Sequence, residues 1–222
     1  MSEPRFPLST YLAVSGALVG LAGALFLGGL RVANSEGPLL RAEWAGNLVF
    51  TLVYLTPFVL SLLALRWSAV WQAAVWGAAT VLAAVGIFTS FSGVSLVLVP
   101  AALLLGPAAL VAFGRTAPSR WPVALLVAGV LVALVAGGWL GLNIVDDGRC
   151  WELVRDAAGE TEWQSAPYSQ RGTVTATTGG EEAGTVRTLC SSDVITGTES
   201  VFALLPLLMA ALLPAWLARQ QN

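Results

Sequence analysis

Residues 146–198 read DDGRCWELVRDAAGETEWQSAPYSQRGTVTATTGGEEAGTVRTLCSSDVITGT, a polar island in an otherwise apolar chain that holds its two cysteines, Cys150 and Cys190. Nine acids stand there against four arginines, a balance of −5, so the segment is solvated and anionic. Short β-prone runs flank turn residues. Cys150 to Arg155 and Thr161 to Gln164 surround Ala157, Ala158 and Gly159, while Thr173 to Thr178 and Thr185 to Cys190 surround Gly179, Gly180 and Gly184. Two hairpins are predicted. Some fifty residues bury little apolar area, and a small domain of that size needs a staple. A Cys150–Cys190 disulfide closes a loop worth about 4 kcal/mol in the chain-entropy model. No Cys-x-x-Cys spacing is present, which favours a structural bond over a redox-active pair. Such a bond persists in an oxidising compartment, which places the island outside the cytoplasm.

On either side of the island the composition changes class. The whole chain is 56% hydrophobic and 11% charged with a mean hydropathy of +0.76, whereas soluble domains carry about a quarter charged residues. A bilayer core needs about 20 apolar residues per helix. Six stretches qualify, 8–30, 45–65, 68–89, 94–114, 121–144 and 200–218, and none contains Asp, Glu, Lys or Arg. The first exceeds the length of a signal-peptide apolar region and is expected to be retained as a span. The predicted fold is an all-α integral membrane protein: a six-helix transmembrane bundle with a small disulfide-bridged, β-hairpin-containing extracytoplasmic insert between helices 5 and 6. Residues 1–145 carry the first five helices, 146–198 the insert, and 199–222 the sixth helix with a short tail.

Arginine near span ends is retained on the cytoplasmic side. If six helices alternate, Arg5, Arg66, Arg115, Arg120 and Arg219 fall together, against Arg31 and Arg41 in the opposite short loops. This count puts both termini in the cytoplasm of a cell membrane, and residues 146–198 outside, without reference to the cysteines.

All eleven basic residues are arginine, and there is no histidine. Lysine Schiff-base chemistry, imidazole metal ligation and histidine general-base catalysis are thereby excluded. The net charge of −2 implies no nucleic-acid partner. No Gly-x-Ser-x-Gly elbow occurs and no predicted span carries an ionisable side chain, so neither catalysis nor ion-coupled transport is indicated and no cofactor or metal is expected. Asp146, Asp147 and Glu199 would gather at one membrane surface, but they lack a cation-loop spacing and are expected to be solvated helix-end charges. Trp151, Trp163 and Tyr168 are expected to form the insert's small core or to anchor it at the headgroups rather than to make a binding face.

Within the spans two patterns recur. Gly16, Gly20, Ala24 and Gly28 in the first, and Gly129, Ala133, Gly137 and Gly141 in the fifth, repeat every fourth residue. Such stripes let helices approach closely in lipid, and because these two helices run in the same direction, a parallel pair is predicted. Asn47, Thr51, Tyr54 and Ser61 on the second span, and Ser68, Gln72, Trp76 and Thr80 on the third, form polar faces. Joined by Arg66 and Trp67, these two helices are antiparallel neighbours, and their polar groups are predicted to make interhelical hydrogen bonds or, in the sharper alternative, a groove for a polar or amphipathic ligand. Pro57, Pro100, Pro107, Pro206 and Pro214 are placed inside spans. The expected role is non-enzymatic: presentation of the acidic insert as an accessory, assembly or interaction subunit, with the lipid bilayer and another membrane protein subunit as partners. The alternative is an uncoupled or partner-driven transporter component.

Overall fold

The computed structural model describes residues 7–34, 37, 38, 41, 43–89, 93–142, 149–156, 158–166, 184–191, 195 and 197–219. Six long helices form: α1 (Leu8–Asn34), α2 (Trp44–Leu63), α3 (Ala69–Thr89), α4 (Val99–Arg115), α5 (Trp121–Gly141) and α6 (Gly197–Arg219). Each is long and apolar enough to cross a membrane. Exposed leucines stud the outside of the bundle, among them Leu103, Leu110, Leu125, Leu126, Leu205 and Leu212, all more than half exposed. A continuous apolar exterior of this kind is foreign to a soluble monomer and natural to a protein solvated by lipid.

The helices close a ring in the order α1, α4, α3, α5, α6, α2, with α2 also touching α3 and α5 across the middle. Successive contacts show the antiparallel sense. Gly16 lies against Leu104 and Leu105 while Gly23 lies against Val97 and Leu98, and Gly20 meets Phe58 while Gly28 meets Thr51. One end of the bundle therefore gathers the starts of α1, α3 and α5, and the other gathers the starts of α2 and α6.

Two turns at the first end show how local sequence closes it. Helix ends leave carbonyls without intrahelical donors. Following α2, a 3₁₀ turn over Ala64–Arg66 leads into α3, and the Gln72 amide donates back to the carbonyls of Leu65 and Trp67 at 3.4 and 3.1 Å. Following α4, a 3₁₀ turn over Pro118–Arg120 leads into α5, and the Trp121 indole donates to the carbonyls of Thr116 and Phe113 at 3.1 and 3.3 Å. In both places the incoming helix caps the outgoing one.

At the opposite end sits a three-stranded antiparallel sheet in the order β2-β1-β3, built from β1 (Arg149–Arg155), β2 (Thr161–Ala166) and β3 (Gly184–Ser191). The first predicted hairpin is present. Its turn is held by the Asp156 carboxylate, which accepts from the amides of Ala158 and Glu160, and by Gly159 at φ +85°. The second differs from expectation: β3 pairs with β1, and Thr173 to Thr178 lies outside the described residues. Central placement of β1 follows from the disulfide, since Cys150 and Cys190 are directly opposed in the β1–β3 ladder with Cα atoms 4.1 Å apart.

Two other expectations need correction. The stripes of α1 and α5 do not form a parallel pair, because α1 packs on α2 and α4 while α5 packs on α3 and α6. Gly16, Gly20, Ala24 and Gly28 are buried inside the bundle, whereas Gly129 and Ala133 are exposed, Gly137 approaches Pro206, and Gly141 abuts the backbone of Ala203. Each stripe meets an antiparallel neighbour, α1 on α2 and α4, and the C-terminal half of the α5 stripe on α6. Pro100 is not interior either. A 3₁₀ turn over Gly93–Leu98 precedes α4, leaving Pro100 in its first turn where no amide donor is required.

Candidate functional site

Directly opposed residues of an antiparallel sheet share a face. Leu153 faces Trp163, and Trp151 faces both Ser165 and Leu189, so Trp151, Leu153, Trp163 and Leu189 lie on one face. That face is turned to the bundle, because the Trp163 indole rests 3.1 Å from where a Cβ would stand at Gly37, between α1 and α2. Gly37 has φ +55°, which a side chain would strain. Trp163 thus meets the α1–α2 connection; Tyr168 lies outside the described residues. The other face carries Glu152, Val154, Glu162, Gln164, Thr188 and the disulfide, with Glu162 and Gln164 exposed. This is an acidic outward face.

Beneath the sheet, the bundle holds a polar cluster that no apolar-run analysis finds. Arg31, in the last turn of α1, donates through Nε to the Asn47 side-chain oxygen at 2.8 Å and approaches the Glu43 carboxylate at 3.8 Å. Its guanidinium also lies over the Phe50 ring, 4.9 Å from the centroid. Glu43 is 4% exposed and Asn47 3%. The start of α6 joins the same end: Ile195 packs on Gly46, and Glu199, 1% exposed, stands in the first turn of α6 beside buried Ser200. A carboxylate there complements the partial positive charge of the helix N-terminus. The sequence signal available was the four-residue spacing of Glu43 and Asn47, which puts both on one face of α2 opposite the end of α1. Asp146 and Asp147, the companions expected for Glu199, lie outside the described residues, and no metal-binding group of three is found among the described residues.

Removing the Arg31 guanidinium takes a cation from a carboxylate that is almost fully buried. Breaking a wholly buried pair costs about 3–5 kcal/mol, and the partly exposed arginine lowers this, so Arg31→Met is expected to destabilise by about 1–2 kcal/mol. Thermal unfolding in detergent measures it, and adding Glu43→Gln to the variant should recover part of the loss.

The polar faces of α2 and α3 are placed as follows. Thr51 donates to the Asn47 carbonyl, Ser61 to the Pro57 carbonyl, and Thr80 to the Trp76 carbonyl, each within its own helix at 2.8 Å. Trp76, fully buried at the centre of the bundle, donates to the Ser61 carbonyl at 3.0 Å across the α2–α3 contact. Gln72 caps the turn described above. These groups are spread along the helices instead of converging on one opening. Of these residues Tyr54 lines a cavity between the helices. That space, of about 70 Å3, is walled by α2, α3, α5 and Leu98, including Phe58, Leu82, Gly86, Val135 and Trp139. The Tyr54 ring lies 4.9 Å from that of Phe50, centroid to centroid and tilted by 47°, and Phe50 is the ring beneath Arg31, which links the cavity to the polar cluster.

Comparison with protein-family models, curated proteins and solved structures finds no match for this chain. The functional conclusion rests on these residues themselves.

Proposed function

We propose that the chain is a non-catalytic multi-pass protein of the cell membrane that presents its stapled sheet outside the cytoplasm for recognition by another membrane protein subunit. The observation that carries this is the two-sided sheet. On one face Trp163 meets Gly37 in the α1–α2 connection, and Glu152, Glu162 and Gln164 stand on the opposite face. The contact of Trp163 with the α1–α2 connection favours one orientation of the sheet, which suits a recognition surface. The complementary partner surface is basic, and charge complementarity of this kind governs partner choice and encounter rate.

Orientation across the membrane follows from the arginines. Arg66, Arg115, Arg120 and Arg219 belong to the bundle end opposite the sheet, and retention of arginine in the cytoplasm supports an orientation with the sheet outside and both termini inside. In intact cells, a membrane-impermeant maleimide should label Cys150 and Cys190 only after external reductant; labelling from the cytoplasmic side without reductant overturns the orientation. For the recognition role, native-membrane purification should recover a second membrane protein at fixed stoichiometry with the wild type and lose it with Glu152→Arg/Glu162→Arg. A chain that purifies alone from native membranes sinks the proposal.

A further inference from the structure

The strand registers sort the charges of the sheet as well as its aromatic residues. Side chains alternate across a strand and directly opposed residues share a face. Arg149 and Arg155 alternate with Trp151 and Leu153 along β1, and Arg187 of β3 is opposite Leu153, so all three arginines join the face that holds Trp163. Glu152 and Glu162 lie on the other. Within the three strands every arginine is thus on one face and every acid on the opposite one. The arginine face is only half covered: Trp151, Leu153, Arg155, Trp163 and Arg187 are each partly exposed, and none belongs to the hydrophobic core of the bundle. The Arg155 Nε is buried without a hydrogen-bond partner among the described residues, a state that costs free energy until an acceptor is supplied. The level of the face is marked by its neighbours. Trp163 touches Gly37 in the α1–α2 connection, and Trp44, the first residue of α2, is 67% exposed, which is the placement of a tryptophan at the headgroup boundary.

We propose that the face carrying Arg149, Arg155 and Arg187 binds the phosphate groups of phospholipids around this end of the bundle and so holds the sheet against the bilayer. A guanidinium presents its donors in a fork that matches a phosphate bidentately, and tryptophan beside it suits the boundary between headgroup and hydrocarbon. Like charge keeps the Glu152 and Glu162 face off the same phosphates, so the two faces sort to opposite sides. The inference rests on the membrane embedding proposed above and not on the recognition role of the acidic face.

The test uses the full chain in phosphatidylcholine nanodiscs containing a minor fraction of phosphatidylethanolamine with a diazirine on its headgroup, photolysed and mapped residue by residue by mass spectrometry. Label in the sheet is expected on Trp151, Leu153 and Trp163 and not on Glu162 or Gln164. Arg155→Gln should lower it about fivefold, the factor that about 1 kcal/mol supplies, and Arg155→Lys, which keeps the charge, should restore part of it. Arg149→Gln/Arg155→Gln/Arg187→Gln should abolish it, whereas Glu152→Gln/Glu162→Gln should leave it unchanged. If the triple variant does not fold, the Gln and Lys variants of Arg155 still decide. Raising salt from 0.1 to 1 M should weaken the label, because the screening length falls from about 10 to about 3 Å. Equal label on the two faces, or equal label in wild type and Arg155→Gln, overturns the proposal. So does an acidic protein that co-purifies with wild type and is lost from Arg155→Gln while the sheet takes up no lipid label. Incorporation into nanodiscs reports the embedding separately, so its failure is distinguishable from failure of the arginine face.

Discussion

Cys150→Ser is expected to unfold the sheet and to leave the six-helix bundle in place. The bond lies in the β1–β3 ladder and spans 40 positions of sequence. In the chain-entropy model its loss restores about 4 kcal/mol of freedom to the unfolded insert, and native disulfides of small exported domains are commonly worth about 2–5 kcal/mol. A three-stranded sheet of this size has few other resources: one aromatic face against Gly37 and a single hairpin turn. The helices depend on it little, because they hold one another through contacts such as Gly20 with Phe58 and Gly138 with Leu207. Limited proteolysis should therefore cut the variant between residues 149 and 191 at rates at least tenfold above wild type, a factor that about 1.4 kcal/mol supplies, while helical circular dichroism changes little. Cys190→Ser and the double variant should match Cys150→Ser, since all three remove one bond. If the double variant is markedly worse than either single one, the cysteines contribute more than the bridge.

Trp76→Ala is the substitution expected to damage the bundle most. Trp76 is fully exposed to neither lipid nor water, at 0% accessibility, and sits where α2 and α3 cross. In lipid the transfer part of a large-to-small cost largely vanishes, because lipid tails are as apolar as the protein interior. The void remains. Truncation to alanine empties on the order of 140 Å3, which at about 24 cal/mol per Å3 costs about 3 kcal/mol where the site cannot collapse. The lost indole also leaves the Ser61 carbonyl without its cross-helix donor, adding about 1 kcal/mol. Trp76→Phe separates the two contributions, keeping most of the volume while losing the donor. Thermal inactivation in a mild detergent should rank wild type above Trp76→Phe and that above Trp76→Ala. Equal stability of the two variants would mean that the hydrogen bond and not the packing carries the effect.

Apolar length was the most legible signal in the sequence. The six helices appear where uninterrupted apolar runs lie, and the ends move by a few residues because capping and 3₁₀ turns, not hydropathy, decide them. The insert was half legible. Hairpin β1–β2 follows from local turn chemistry at Asp156 and Gly159, but the pairing of β3 with β1 is nonlocal and no local pattern encodes it. Helix neighbours were not legible, since small-residue stripes mark a face able to pack closely without naming its partner. Hydroxyls were a weak guide for a specific reason: threonine and serine on a helix bond their own carbonyl four residues back, as Thr51, Ser61 and Thr80 do, so polar spacing does not predict a groove. Arg31, Glu43 and Glu199 were hidden because each stands just outside an apolar run, where burial depends on the neighbouring helix ends. The cavity draws on α5, which carries no polar residue to announce it.

The strand order also sets a timetable. Synthesis runs from the N-terminus, and the β1–β2 hairpin is complete by Ala166. Its partner β3 does not exist until residue 184 emerges, so β1 waits with one edge open while Cys150 stays a thiol. Oxidation then comes last among the events of the insert and just ahead of α6, whose first residues follow Cys190 by only a few positions. The bridge is thus the last link to form in the sheet: until β3 has been made, the segment carries a free thiol and an unpaired strand edge.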